Sequence, residues 1–197
     1  GASRLITWKA RKTTKSKIID ELIEWIETLL FSFLTIILLF TFVLRTSEVN
    51  GPSMYPTFVG RDDSIGQSGD MLIYLSCLTE FDNGDVVVVN SVAFDEPIIK
   101  RVIAKPGQTI TVDYEIGAVY VDGVEIDEPY INEPTYTGSS RIEYPITLGE
   151  GEYFIMGDNR NHSSDSRFIG PVTEEEIFGK VIFRIAPIDK IGVVGNE

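Results

Sequence analysis

The chain has 197 residues, with 17 Lys or Arg and 30 Asp or Glu, so its formal net charge at pH 7 is −13. Most of the acids follow residue 44. An acidic segment of this length argues against nucleic-acid binding, which requires a basic surface. A single cysteine, Cys77, excludes an internal disulfide, and with only one histidine, His162, no zinc site of ordinary composition can be built. We therefore expect no nucleic-acid partner, no metal and no cofactor.

Residues 1–19 are a basic segment that precedes a long apolar stretch. They contain six Lys or Arg residues and no acid. Positive charge beside an apolar segment is typical of its cytoplasmic flank. We predict that residues 1–19 form a cytoplasmic tail.

The apolar stretch contains 17 uncharged residues between Glu27 and Arg45. As a helix it would be roughly 25 Å long, at the short end of the transmembrane range. A cleaved secretory signal peptide would need small residues in an Ala-x-Ala-like pattern afterwards, whereas RTSEVNG follows. A buried helix of a soluble protein would show a polar stripe, and this stretch has only scattered Ser and Thr. The sequence predicts an uncleaved membrane anchor helix over residues 20–45.

Beyond this helix the hydrophobic pattern becomes that of short strands separated by Gly and Pro. Strands are predicted at 70–75, 85–90, 98–104, 108–114, 118–126, 152–157 and 180–186. Asp122-Gly123 predicts a type I′ hairpin turn, and 173–178 a helical turn. Because no helical patterns separate the strands, we predict a mainly β, antiparallel body over residues 46–197, with a hairpin-rich inserted lobe at about 108–150.

The stretch VNGPSMYPTF, residues 49–58, places Ser53 between Pro52 and Pro56. The two prolines restrict the backbone around the serine. A catalytic serine needs a base. Neither a G-x-S-x-G nor an S-x-x-K motif occurs, which argues against the α/β-hydrolase and β-lactamase arrangements.

A buried, neutral lysine could serve as that base, and Lys100 is the best candidate. It lies in EPIIKRVIAKPG, on a predicted strand whose same face carries Ile98 and Val102. Burial among apolar side chains can lower a lysine pKa by up to ~3–5 units. The alternative is a surface lysine on an edge strand that extends its ammonium group into water.

A third stretch, GDNRNHSSDSRFIGPV at 157–172, is polar but lies between apolar segments. It could be a solvated loop with Asx-turns. If it instead crosses the interior edge of the body, its charges need partners, which its own Asp and Arg residues can supply.

The motifs GPSMYPTF, IIKRVIAKPG and GDNRNHSSDSRFIGPV follow the apolar stretch in this order, with FDNGDVVVVN between the first two. This combination closely resembles the bacterial type I signal peptidases of the single-anchor Gram-positive type, over most of residues 20–190. The resemblance implies a membrane-bound serine endopeptidase that cleaves signal peptides from exported preproteins and prefers Ala-x-Ala before the cleaved bond. Its partners would be signal peptides and the lipid bilayer, and its catalytic domain would be extracytoplasmic.

The resemblance also implies roles for individual residues. Ser53 would be the nucleophile and Lys100 the general base, and Ser163 would hydrogen-bond the lysine. Asp165 and Arg167 would form a structural ion pair, with Asp158 supporting the same loop.

Further roles concern the substrate. The Ser53 N–H would be one oxyanion donor, whereas the second donor of some relatives is a serine at the position of Gly51 here. Met54 and Ile99 are expected in the substrate pocket, although Met54 could equally be a core residue. His162 stands where an asparagine is expected.

Three other functions remain open from the sequence. His162 could be the base, although in the eukaryotic relatives the histidine replaces the lysine itself. The self-cleaving repressor peptidases of the SOS response also use Ser and Lys, but they are soluble and carry a DNA-binding domain. The chain could also be an inactive or narrowly dedicated anchored homologue that binds exported proteins, for example of a pilus.

Overall fold

The structure is a computed structural model that describes residues 14–94 and 96–195. Most of the predicted basic tail, residues 1–19, therefore lies outside the described residues. The chain divides into two compact units, one ending at Thr41 and the other beginning at Phe42.

The first unit is the helix α1, Thr14–Phe42. Its segment Ile18–Phe42 is long and apolar enough to cross a membrane, with a mean hydropathy of 2.0. Its large apolar side chains are exposed on all sides, which fits a lipid environment better than water. The hydroxyls of Thr28, Ser32 and Thr35 donate to backbone carbonyls four residues earlier, so the scattered polar residues are satisfied within the helix.

Within the described residues, the second unit contains twelve strands, in two sheets. Their bounds are Leu44–Glu48 (β1), Met71–Leu75 (β2), Val86–Val89 (β3), Ile98–Ala104 (β4), Thr109–Asp113 (β5), Ala118–Val121 (β6), Val124–Glu125 (β7), Ile146–Thr147 (β8), Glu152–Met156 (β9), Val172–Thr173 (β10), Ile177–Ala186 (β11) and Gly192–Val193 (β12). The larger sheet has the order β1-β2-β11-β3-β4-β9-β10, with β12 paired to β11. All of its pairs are antiparallel, and the expected mainly β fold is confirmed.

The centre of the larger sheet is covered on both faces. All four residues of β3 are buried, and so is every residue of β4 except Ile98. One apolar cluster, which includes Met54 and Phe58, covers one side of β3, and a second, which includes Tyr153 and Ile155, covers the other. A side chain on β4 is therefore removed from water on either face, including a charged one.

The second sheet has the order β7-β6-β5-β8 and is inserted between β4 and β9, which pair with each other. Asp122 and Gly123 have φ angles of 53° and 79°, as the predicted type I′ turn requires. The apolar face of this sheet packs against Phe154 and Met156 of β9. The inserted sheet thus shares a core with the larger sheet within one compact unit.

The structure differs from the sequence predictions at some boundaries. The anchor helix ends at Phe42, and Arg45, which was assigned to the helix, lies in β1. The predicted helical turn is a 3-10 turn over Glu174–Glu176, and β11 begins directly afterwards at Ile177. The reason is pairing: β1 pairs with β2, and Ile177 pairs with Val89, so strand contacts override the local pattern.

Candidate active site

Ser53 lies at the start of a helical turn that follows Pro52. The Tyr55 N–H donates to Pro52 O at 3.1 Å, and the Phe58 N–H to Met54 O at 2.9 Å. Met54 and Phe58 are fully buried in the core, whereas Ser53 is only partly buried. The apolar side chains of this turn therefore anchor it while the serine hydroxyl stays accessible.

Asn159 joins the polar stretch 157–167 to the Ser53 turn. Its backbone N–H donates to Ser53 O at 3.0 Å, and its Nδ2 donates to Pro52 O at 3.0 Å. The residue is 6 % exposed. These two bonds fix the backbone carbonyls on both sides of Ser53. Sequence reasoning assigned no role to Asn159, and its place beside Asp158 in the GDNR run was the only indication of one.

Lys100 lies against the Ser53 hydroxyl. Its Nζ donates to Ser53 Oγ at 2.8 Å and to Ile99 O at 2.9 Å, and the residue is 3 % exposed. Burial lowers the pKa of this amine to about 8, against an opposing effect of Asp165 and Asp158. About a tenth of the amine is therefore neutral at pH 7, far more than in a surface lysine with the usual pKa of about 10.4.

Gly157 allows the two parts of the site to meet. A Cβ at this position would lie 2.3 Å from Ser163 Oγ and 2.5 Å from Ser53 O. Neither atom could move away without shifting the hydroxyl or the backbone of the nucleophile turn. Only glycine fits here, a requirement that the sequence motif contains but does not explain.

Ser163, Asp165 and Arg167 form one buried group. Ser163 Oγ donates to Asp165 Oδ2 at 2.6 Å. Arg167 donates from Nε to Asp165 Oδ1 at 2.8 Å and from Nη2 to Oδ2 at 2.7 Å, which is the expected ion pair. The Gly157 N–H donates to the same carboxylate at 2.9 Å. Within the described residues the hydroxyl of Ser163 bonds to Asp165, and no hydrogen bond joins it to Lys100.

Asp158 supports the nucleophile turn through a partner that sequence reasoning did not assign. Arg101 donates to both of its oxygens, at 2.9 Å from Nε and 2.7 Å from Nη2. Thr57 Oγ1 donates to Asp158 Oδ2 at 2.5 Å. Arg101 is 2 % exposed, and its guanidinium lies 3.9 Å from the centre of the Tyr130 ring. This ion pair links β4, the nucleophile turn and the polar loop.

A third buried arginine, Arg160, holds the polar loop to the inserted segment. It pairs with Glu128, donates to Thr135 Oγ1 at 2.9 Å, and donates to Gly157 O at 3.0 Å. No local pattern predicts Glu128 as its partner, because 32 residues separate the two.

The residues expected in the substrate pocket lie in two environments. A cleft of about 40 Å³ is lined by Glu48, Val49, Asn50, Ser53, Pro97, Ile98, Ile99 and Lys100. Ile99 is thus beside the reactive groups. Met54 is fully buried in the adjacent core, so its role in a substrate pocket stays a prediction.

The remaining site residues bear on oxyanion binding and on the alternative base. In the described part of the chain the Ser53 N–H donates to no acceptor, which leaves it available for an oxyanion. Gly51 has a φ of +68°, a conformation that glycine adopts without strain.

His162, the alternative base, is exposed, whereas the side chain that bonds to Ser53 Oγ is Lys100. No group of three or more His, Cys, Asp or Glu residues within 14–94 and 96–195 could hold a metal ion.

Comparison with known proteins gives the family. The family model of the signal peptidases, peptidase S26, matches residues 22–186 of this chain. The probable signal peptidase I-1 of Synechocystis is 33 % identical over 88 % of this chain and 87 % of its own length. Signal peptidase IB of Staphylococcus aureus is 31 % identical over 86 % of this chain and 92 % of its own. Signal peptidase I S of Bacillus subtilis is 29 % identical over 93 % and 97 %.

Among solved structures, a signal peptidase I from Enterococcus faecalis aligns at 27 % identity with a TM-score of 0.42, over 51 % of this chain and 96 % of its own. The family model spans most of this chain, and the Synechocystis and Staphylococcus relatives share more than 30 % of its residues over nearly their whole lengths. On these grounds the chain belongs to the signal peptidases of family S26.

Proposed function

We propose that Ser53 and Lys100 carry out the peptide-bond hydrolysis by which this membrane-bound signal peptidase removes signal peptides from exported preproteins. The observation that carries the proposal is the 2.8 Å contact between Ser53 Oγ and a lysine that is 3 % exposed. A nucleophile and a base within hydrogen-bond reach are what acyl transfer to a serine requires. The same contact favours this activity over an inactive binding protein.

The reaction follows from this geometry. Neutral Lys100 accepts the Ser53 hydroxyl proton while Oγ attacks the scissile carbonyl, and the Ser53 N–H donates to the developing oxyanion. The lysine ammonium then gives its proton to the leaving amine, which becomes the new N-terminus. A water molecule, deprotonated by Lys100, attacks the acyl-enzyme. The bond between Ser53 Oγ and the acyl carbon then breaks, Oγ takes the proton from Lys100, and the signal peptide is released.

The supporting residues would act through position. The Asp165–Arg167 pair and the Asp158–Arg101 pair fix the loop that adjoins Ser53, and Ser163 contributes through its bond to Asp165. Ile99 and Met54 would shape the pocket for the residues before the cut.

The placement in the cell is part of the proposal. We propose that residues 1–19 are cytoplasmic, that the segment at 20–45 anchors the chain in the membrane, and that the body from 46 onward is extracytoplasmic. The basic tail and the apolar helix support this orientation. Only nine residues of chain lead from Leu44 to Ser53, and so short a tether would raise the local concentration of signal peptides in the same bilayer.

The rate of cleavage should depend on pH as a single group with a pKa of about 8. Only the neutral amine can accept the serine proton, so kcat/KM should rise about tenfold per pH unit below this value and level off above it. At pH 6 the rate would be about a hundredth of the plateau. A profile of kcat/KM from pH 5 to 10 checks this, and a flat profile would contradict a lysine base.

The proposed activity is tested by incubating the full chain in detergent with a preprotein that carries an Ala-x-Ala site. Mass spectrometry identifies the new N-terminus. We expect one cut, directly after the second Ala, and its loss in Ser53→Ala. The control is Ser91→Ala, which changes a serine outside the site. Continued specific cleavage by Ser53→Ala would contradict the proposal.

A further inference from the structure

A second cavity, of about 640 Å³, adjoins the turn that carries Ser53. Gly51, Pro52 and Asn159 line one part of it, and residues of the segment 59–67 line another. It is separate from the 40 Å³ cleft that contains Ser53 and Lys100. Its volume lies in the range of sites that hold a substantial ligand, whereas the cleft has room for about one small group.

The segment 59–67 gives this cavity a negative lining. Arg61 is shared between two carboxylates, those of Asp63 and Glu48, at 3.4 Å each. Asp62 accepts from the Ser64 N–H at 2.9 Å and from the Ser64 hydroxyl, and these bonds lower the pKa of its carboxyl below the usual value. Two aspartates thus line the cavity beside one arginine that is already paired.

Asn159 adds an unused acceptor to the opposite part of the lining. Both of its donors are bound to carbonyls of the Ser53 turn, which fixes the orientation of its amide group. Its Oδ1 is buried and has no hydrogen-bond partner in the described part of the chain, although the residue is 94 % removed from solvent. A buried acceptor without a donor is costly, so a peptide N–H that reached this oxygen from the cavity would relieve that cost.

We propose that this cavity binds the first residues of the mature protein, after the cleaved bond, and that Asp62 and Asp63 make it favour basic side chains there. The inference rests on the proposed function, in which the scissile carbonyl lies at Ser53 Oγ. The chain on one side of that carbonyl would then lie in the small cleft, and the chain on the other side in the charged cavity. The small cleft suits the small residue expected before the cut. The charged cavity suits the chain after the cut, which is the polar flank of the substrate. The chain before the cut follows an apolar membrane segment and is the less polar flank.

The test uses peptides that are identical through the cleaved bond and differ only at the second and third residues after it. These are Lys-Lys, Gln-Gln or Glu-Glu. With the full chain in neutral detergent at low salt, we expect kcat/KM for Lys-Lys to exceed that for Glu-Glu by about three- to tenfold. In 0.5 M salt the ratio of the two kcat/KM values should fall towards one, because salt screens the charges.

The variant is Asp62→Asn/Asp63→Asn, in which we expect the Lys-Lys to Glu-Glu ratio to fall to about one even at low salt. The matched control is Asp113→Asn: Asp113 closes an equivalent turn, accepting from the Glu115 N–H at 2.9 Å, but does not line the cavity. It should keep the wild-type ratio. An unchanged ratio in the double variant, or an equal fall in the control, would overturn the proposal.

Binding separates this inference from the proposed function. The same three peptides are titrated into Ser53→Ala protein, with and without the two aspartate changes. The same charge preference in binding, dependent on the two aspartates, supports the cavity assignment, and equal affinities for all three peptides overturn it. Failure of the wild-type chain to cleave any peptide would instead count against the Ser53–Lys100 mechanism.

Discussion

Lys100→Met should lower signal-peptide cleavage by about 10³-fold or more on the plateau above pH 8. The methionine fills a similar volume but cannot accept the proton of Ser53 Oγ, which lies 2.8 Å from the lysine nitrogen. In the described part of the chain, Lys100 is the basic group that contacts this hydroxyl. The measurement is kcat/KM on the Ala-x-Ala preprotein, together with the pH profile of the residual rate.

The control for this change is Lys105→Met. Lys105 is exposed, and its Nζ pairs with Asp82 at 2.7 Å on the surface. It follows the same strand, so the variant tests whether losing any nearby lysine lowers the rate. We expect full activity from Lys105→Met. For Lys100→Met we expect a melting temperature equal to that of the wild type or higher, because an apolar methionine is buried more easily than a lysine. A Lys100→Met enzyme within tenfold of wild type would remove Lys100 from the mechanism.

Asp165→Ala should destabilise the fold by about 3–5 kcal/mol, since it leaves the fully buried Arg167 without its carboxylate. It also removes the acceptor of the Gly157 N–H and of Ser163 Oγ, which hold the loop against the Ser53 backbone. Against a typical total stability of about 5–15 kcal/mol, this is a large share. We expect a drop in melting temperature on the order of 10 °C, with loss of cleavage.

A double variant separates the ion pair from the rest of the site. Asp165→Ala/Arg167→Met removes both charges and should recover part of the stability lost in Asp165→Ala, because no buried charge remains unpaired. Asp82→Asn, which breaks the surface pair with Lys105, should leave the melting temperature unaltered. Thermal unfolding followed by near-UV circular dichroism checks all three. A double variant no more stable than Asp165→Ala would show that the pair itself is not the source of the loss.

The sequence determined the local elements well where hydrophobic spacing is strong. β2, β3, β4, β5 and β9 lie where they were predicted, within a residue or two. The short strands β1, β8, β10 and β12 were not predicted. Segments such as LRTSE in β1 carry no apolar alternation and become strands only because β2 offers its backbone groups for pairing.

The reactive pair could also be proposed from sequence, because Ser53 and Lys100 each stand in an unusual local context. Their contact could not be derived from local pattern, since 47 residues separate them. What the motifs did not contain were the partners supplied by distant segments. Arg101 was assigned no role, yet it pairs with Asp158, and Arg160 pairs with Glu128 of the inserted segment.

The sequence by itself thus determined the anchor, the β character of the body and the residue types able to perform hydrolysis. Only the tertiary structure decided that β4 is covered on both faces, which desolvates Lys100 and lowers its pKa to about 8. It also decided which buried arginine meets which carboxylate and how closely Gly157 brings Ser163 to the Ser53 backbone. The physical reason is that hydrophobic periodicity is a local property, whereas desolvation and ion pairing depend on segments that meet only when the sheets pack.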